Sequence, residues 1–176
     1  MIRVTLAPAT ADMHRALAAL TVAPEQVVFS GQPADIVARG DPTMDLHAIL
    51  ADGTPVGLFR IDRDYARAHG FARPGDLGLR SVIVDRHHQG RGIGSAMVRA
   101  LPAYLARHYP DATDIYLTVN LRNPGARKSY LNGGFVDAGA QYLGGSAGPQ
   151  HILHMVLAPR IAGADPVRTP RPRPAR

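Results

Sequence analysis

Cysteine is absent from the 176 residues, and lysine and glutamate occur once each, as Lys128 and Glu25. No apolar stretch approaches the roughly 20 residues that span a bilayer. Each absence removes a class of function. Without thiols there are no disulfides, no thiolate nucleophile and no zinc–thiolate site. Without a Gly-Lys-Ser/Thr run there is no Walker-type phosphate loop. The start, Met-Ile-Arg-Val-Thr-Leu, carries no long apolar block and reads as a strand. A cytoplasmic location with no membrane partner is therefore expected.

The charge present is almost all arginine and aspartate. Nineteen of the twenty basic residues are Arg and thirteen of the fourteen acids are Asp, for a net charge of +6. Five of those arginines and one aspartate fall in residues 159–176, which end Arg-Thr-Pro-Arg-Pro-Arg-Pro-Ala-Arg. That ending has no apolar periodicity and reads as a disordered or polyproline-like tail behind a single domain, residues 1–158. An exposed Arg run attracts phosphate without sequence preference. No aromatic is interleaved in this one to stack on bases, so nucleic acid is not the expected partner.

Periodicity organises the rest. A strand is expected at 2–7, then a helix at 12–20 capped by Thr10, and a loose segment 21–43 with helical turns near 24–29 and 33–39. A hairpin at 45–51 and 55–63 turns at Asp52-Gly53. A loop at 64–76 precedes a strand at 77–84, a helix at 92–108, a strand at 114–120 and a helix at 124–132. Strands at 135–142 and 150–157 close the chain. Pro102 lies inside the long helix, where it costs about 3 kcal/mol in a straight one, so a kink is expected. His87 and His88 are neighbours that cannot easily share a metal, and His151 and His154 fall on opposite faces of a strand. No metal site is expected.

Two segments carry chemistry. Gln89-Gly-Arg-Gly-Ile-Gly94 sits between the apolar strand Leu79–Val84 and the amphipathic helix marked by Met97, Val98, Leu101, Tyr104 and Leu105. Glycines there let backbone approach an anion, and the free N–H groups of the helix start point at it. The dinucleotide pattern Gly-x-Gly-x-x-Gly fails, because its last position is Ser95 or Met97. The second segment, Asn123-Pro-Gly-Ala-Arg-Lys-Ser-Tyr130, follows a buried strand and precedes Gly133-Gly134-Phe135. Asn123 suits a helix N-cap and Pro124 its first turn, while Ala126 or Arg127 and Tyr130 share a face with Asn123.

The first segment resembles the coenzyme A pyrophosphate loop, Gln-x-x-Gly-x-Gly, of the GNAT family of N-acyltransferases. The second resembles that family's Asn-x-x-Ala-x-x-x-Tyr signature. The resemblance spans roughly residues 44 to 157. It implies an α+β fold: a mixed, mostly antiparallel sheet of six or seven strands flanked by helices, with the fourth and fifth strands splayed. Acetyl-CoA is the implied cosubstrate. Backbone groups of Val82, Ile83 and Val84 would bond its pantetheine arm and polarise the thioester. The N–H groups of Gln89, Gly90, Arg91, Gly92, Ile93, Gly94 and Ser95 would hold the pyrophosphate. Asn123 would reach the pantetheine, and Arg127 or Lys128 a phosphate.

Tyr130 is the implied acid for the departing thiolate, a phenol with pKa near 10. An amine with pKa near 10 is only about one part in a thousand neutral at pH 7, roughly 4 kcal/mol that a proton acceptor offsets. Many family members place a Glu at the position occupied here by Gly78. Asp76, two residues earlier, is the candidate in its stead. Glu25 and a water chain to backbone carbonyls stand beside it as alternatives.

Leu79-Arg80-Ser81 and Gly148-Pro149-Gln150-His151 look like a bacterial subgroup acting on small molecules. The implied reaction is direct acetyl transfer in a ternary complex to a primary amine of a small molecule or a peptide N-terminus. The alternative is a coenzyme A-binding sensor without turnover. Residues 60–76 offer Asp62, Asp64 and Asp76 but also Arg60, Arg63, Arg67 and Arg73. That mixture weakens a polycationic acceptor and favours one carrying a carboxylate. Assembly stays open, with a homodimer common in the family.

Overall fold

The computed structural model describes residues 2–157; the Arg/Pro tail expected at 159–176 lies outside them. Seven strands form one sheet in the order β1-β2-β3-β4-β5-β7-β6. They are β1 Val4–Pro8, β2 Met44–Ala51, β3 Thr54–Asp62, β4 Leu77–Val84, β5 Asp114–Asn120, β6 Val136–Tyr142 and β7 Gln150–Val156. All pairings are antiparallel except β4 with β5. The helices are α1 His14–Ala18, α2 Pro24–Ser30, α3 Pro33–Ala38, α4 Ile93–His108 and α5 Pro124–Gly133. None is long and apolar enough to cross a membrane.

Alternation along the central strands builds two cores. Ile49, Phe59 and Ile61 pack with Met97, Val98, Leu101 and Leu105 of α4 on one face. Ala48, Leu58 and Ile83 pack with Leu17 of α1 and Ile36 of α3 on the other. The sequence expectations for the β2–β3 hairpin, α4, β5 and α5 agree with these elements to within a residue or two. The N-terminal helix differs. Residues 11–13 form a 3-10 turn, only His14–Ala18 is α-helical, and Thr10 makes no side-chain cap. Helix α4 runs through Pro102 without a break.

Two irregularities in β4 position the site. Leu58 pairs with Ile83 but Arg60 pairs with Arg80, so β4 carries one extra residue opposite Phe59. That bulge holds Ser81 at φ 50, a left-handed conformation that non-glycine residues rarely adopt. It also shifts the alternation by one, because a strand's side chains have period two. Leu77 and Leu79 face the α4 core before the bulge, and Val82 and Val84 face it afterwards. The parallel ladder with β5 ends before the bulge. It joins only Leu77 to Ile115 and Gly78 to Tyr116. The two strands then part, leaving the β4 edge over residues 81–84 without a strand neighbour.

Candidate active site

Two clefts flank the opened strand. One, about 610 Å³, is lined by Val82 and Val84 of β4, the glycine loop, and Lys128, Ser129 and Tyr130 of α5. The other, about 460 Å³, is lined by Arg60, Tyr65, His69, Arg80, Thr118, Tyr142 and the 144–147 turn, among others. They meet: Phe29, Ser30, Val82, Asn123, Ala126 and Tyr130 line both.

The glycine loop is built for close approach. Gly90 and Gly92 both sit at φ 75, and a Cβ at either position would meet nothing within 4 Å. Gly92 caps α4, whose first bond runs from the Ala96 N–H to the Gly92 carbonyl at 2.9 Å. The N–H groups ahead of it have no intrahelical acceptor and carry the positive end of a 16-residue helix. These features fit a diphosphate. Gln89 fastens the loop: its Nε2 donates to the Val84 carbonyl at 2.9 Å and to Gln26 Oε1 of α2 at 3.1 Å. Asp85 braces the turn before it. Burial pushes that carboxyl up, but hydrogen bonds from Thr21 and His87 outweigh it and hold the group well below the usual carboxylate range.

Tyr130 stands where the clefts join, its ring edge-on to Phe135 at 6.0 Å between centroids. Burial alone raises its phenol above the ordinary value, so the hydroxyl keeps its proton at neutral pH. Asn123 caps α5 by accepting from the Ala126 N–H at 3.3 Å, which fixes the start of the helix that carries Tyr130.

Val82, Val84, Gln89, Gly90, Gly92, Ile93, Gly94, Ser95, Asn123 and Tyr130 thus come together around the larger cleft. Ile83 turns its side chain into the opposite core, 2% exposed. Arg91 is exposed and its side chain lies outside the lining. Arg127 is paired to Asp137 of β6 at 2.8 Å and lines neither cleft, whereas Lys128 lines the larger one. Asp76 is 3% exposed and accepts from the Arg73 N–H at 2.7 Å. It lines neither cleft, and neither does Glu25.

Sequence reasoning missed His69. Tyr65 lies over Gly78 so closely that a Cβ there would collide with its ring, which leaves no room for a side chain at that position. His69 stacks on Tyr65 at 3.9 Å between centroids. Its Nδ1 is 3.1 Å from the Tyr65 carbonyl, an acceptor only, so Nδ1 carries the proton and Nε2 the lone pair. Burial lowers the imidazole pKa, which keeps it neutral. Nothing in the 64–76 loop sequence marks His69, since its place follows from the fold of a short 3-10 turn, Tyr65–Arg67.

With this geometry in hand, comparison with known proteins gives a consistent picture. A family model described as the acetyltransferase (GNAT) family matches residues 12–135. The uncharacterized N-acetyltransferase YbbJ of Bacillus subtilis (strain 168) is 28% identical over 144 residues, 80% of this chain and 89% of that protein. Among solved structures, AAC(6')-Ib with paromomycin and acetyl-CoA superposes at a TM-score of 0.71, with 20% identity, over 87% of this chain and 93% of that one. Spermidine N-acetyltransferase from Vibrio cholerae, with CoA and spermine, does so at 0.63, with 16% identity, over 88% and 95%.

Proposed function

This chain belongs to the acetyltransferase (GNAT) family and is an acetyl-CoA-dependent N-acetyltransferase, and we propose that it acetylates a primary amine of a small molecule by direct attack. The observation that carries this reading is the junction of the two clefts at Val82, Asn123 and Tyr130. A thioester reaching in from the glycine-loop side and an amine from the other side meet there. The smaller cleft falls within the usual size of small-molecule sites. The solved neighbours, with aminoglycosides in one case and spermine in another, support an amine acceptor of that size.

Each residue then has a role. The loop N–H groups from Gln89 to Ser95 and Lys128 hold the phosphates. The free backbone edge of β4 past Ser81 bonds the pantetheine arm and offers an N–H to the carbonyl oxygen as negative charge develops on it. The amine nitrogen forms a bond to the acetyl carbon while the C–S bond breaks. His69 Nε2 takes the amine proton, directly or through one water, and Tyr130 gives its proton to the departing sulfur. The Asp76 carboxylate, which lines neither cleft, is not needed for this scheme.

The test is release of coenzyme thiol over an amine panel; a protein without cysteine contributes no background. Tyr130→Phe is expected to lower kcat roughly 10²-fold or more, while calorimetry shows acetyl-CoA affinity within about threefold of the parent. Unchanged kcat would remove Tyr130 as the acid. Tight acetyl-CoA binding with no thiol release on any amine would leave the sensor reading in its place.

A further inference from the structure

We propose that the acceptor carries a carboxylate a few atoms from its amine, and that Arg60 and Arg80 bind it; this rests on the acetyl-transfer reading above. The two arginines are directly opposed across β3 and β4, and both line the smaller cleft. Like charges placed directly opposite on a sheet are destabilising, so the arrangement needs compensation. The protein supplies a close carboxylate partner to one of them only. Arg80 reaches buried Asp62 at 3.4 Å and lies over the Tyr65 ring at 5.8 Å. Among the described residues, Arg60 forms no ion pair. Its Nη2 donates to Ser81 Oγ at 2.8 Å, and its Nε is enclosed without an acceptor. Burial and the facing Arg80 pull its pKa down, and Asp41 and Asp62, beyond ion-pair distance, offset this only in part.

The remaining walls do not supply the missing anion. No aspartate or glutamate lines this cleft among the described residues. The other titratable groups facing it are His69, held neutral, the phenols of Tyr65 and Tyr130, whose pKa values burial raises, and the phenol of Tyr142. A polycation entering here would meet positive charge and find no carboxylate. A carboxylate would complete the arginine pair through the planar fork that guanidinium offers.

Position adds a length constraint. Arg60 bonds Ser81, the chain neighbour of Val82, and Val82 lines both clefts. The cation is therefore anchored to the residue next along β4 from the cleft junction, which favours a short spacer between the acceptor's amine and its carboxylate.

The experiment compares α-, β- and γ-amino acids with their carboxamides and with diamines of equal length. Thiol release and calorimetry on the coenzyme A-loaded protein are run in parallel. The amino acid is expected to exceed its carboxamide roughly 10- to 100-fold in kcat/KM, the range of a charge-assisted hydrogen bond. Arg60→Met should collapse that ratio toward one, and Arg60→Lys should restore part of it. Because Arg60 also holds the bulge, Ser81→Gly serves as the second variant. It removes the hydroxyl acceptor but keeps the charge, and the ratio should persist. Carboxamides or diamines turned over as well as the acids would overturn the proposal and leave acetyl transfer standing. Selective binding of the acids without thiol release would uphold the carboxylate site and overturn acetyl transfer. Absence of both selective binding and selective turnover would overturn the proposal.

Discussion

A glycine at position 78 leaves no side chain there to accept a proton, which is why the proposed base is His69. The missing carboxylate is visible in the sequence; what fills its space is not. The Tyr65 ring occupies the volume a side chain would need, and His69 is stacked behind it with its Nδ1 proton committed to a backbone carbonyl. A neutral imidazole of lowered pKa is available as a base throughout the physiological range. At saturating amine, kcat is therefore expected to level off at an acid limb below pH 6.5. His69→Phe keeps a ring against Tyr65 but removes the lone pair. It should cost on the order of 10²-fold at pH 7 and move the limb toward the amine's own pKa. A pH profile identical to the parent's would exclude His69. Arg127 teaches a complementary lesson. The family resemblance implied a phosphate contact for it, but Asp137, ten residues on in an edge strand, holds it at 2.8 Å, and no local pattern reveals that partner.

At the scale of elements, the glycine loop and α5 were legible because turn and cap chemistry is local. Asn123 caps, Pro124 opens the helix, and Gly134 ends it at φ 116. The β4 bulge was less so. In Leu77-Gly-Leu-Arg-Ser-Val-Ile-Val84 the apolar alternation slips by one at Ser81, but a fully apolar stretch such as Val82–Val84 hides the slip. The contribution of α2 is not legible in the sequence, because Phe29 and Ser30 reach the junction through tertiary packing and the helix's charged residue, Glu25, lines neither cleft. The loop lends itself to a controlled test. Gly92→Val forces a side chain into φ 75 and into the open cleft. It should destabilise by about 1–2 kcal/mol and weaken acetyl-CoA binding at least tenfold by calorimetry. Gly53→Ala, at φ 86 in the β2–β3 turn with equal space around it, carries the backbone strain alone and should leave affinity intact. Equal loss of affinity in both variants would mean that strain, not the cradle, is responsible.

For the molecule as a whole, an interior polar chain far from the clefts couples stability to pH. His47 of β2 is 3% exposed, with Nδ1 2.7 Å from the Tyr104 hydroxyl and Nε2 2.9 Å from that of Tyr109. Tyr109 donates its proton to Asp45 at 2.8 Å. Its oxygen therefore accepts from Nε2–H, and Nδ1 accepts from Tyr104. Burial lowers the His47 pKa from 6.5 to about 4. Because the folded value lies below the unfolded one, the stability this group contributes is complete above pH 6.5. It falls as the unfolded chain takes up a proton, and stops falling near pH 4. The total is about 3 kcal/mol, read as a declining urea midpoint between pH 7 and 4.5. His47→Gln should flatten that decline, and an equally steep decline in the variant would place the linkage elsewhere. Asp85, with its lowered pKa, acts only below about pH 4. The sheet itself has a further consequence. Four strands and three strands join through only two ladder pairs, 77 with 115 and 78 with 116, while a single apolar core of α4 and both groups of strands runs beneath them. The opening is thus a gap in the hydrogen-bond ladder and not in the packing. An extended ligand lying in it would act as an eighth strand, completing the sheet.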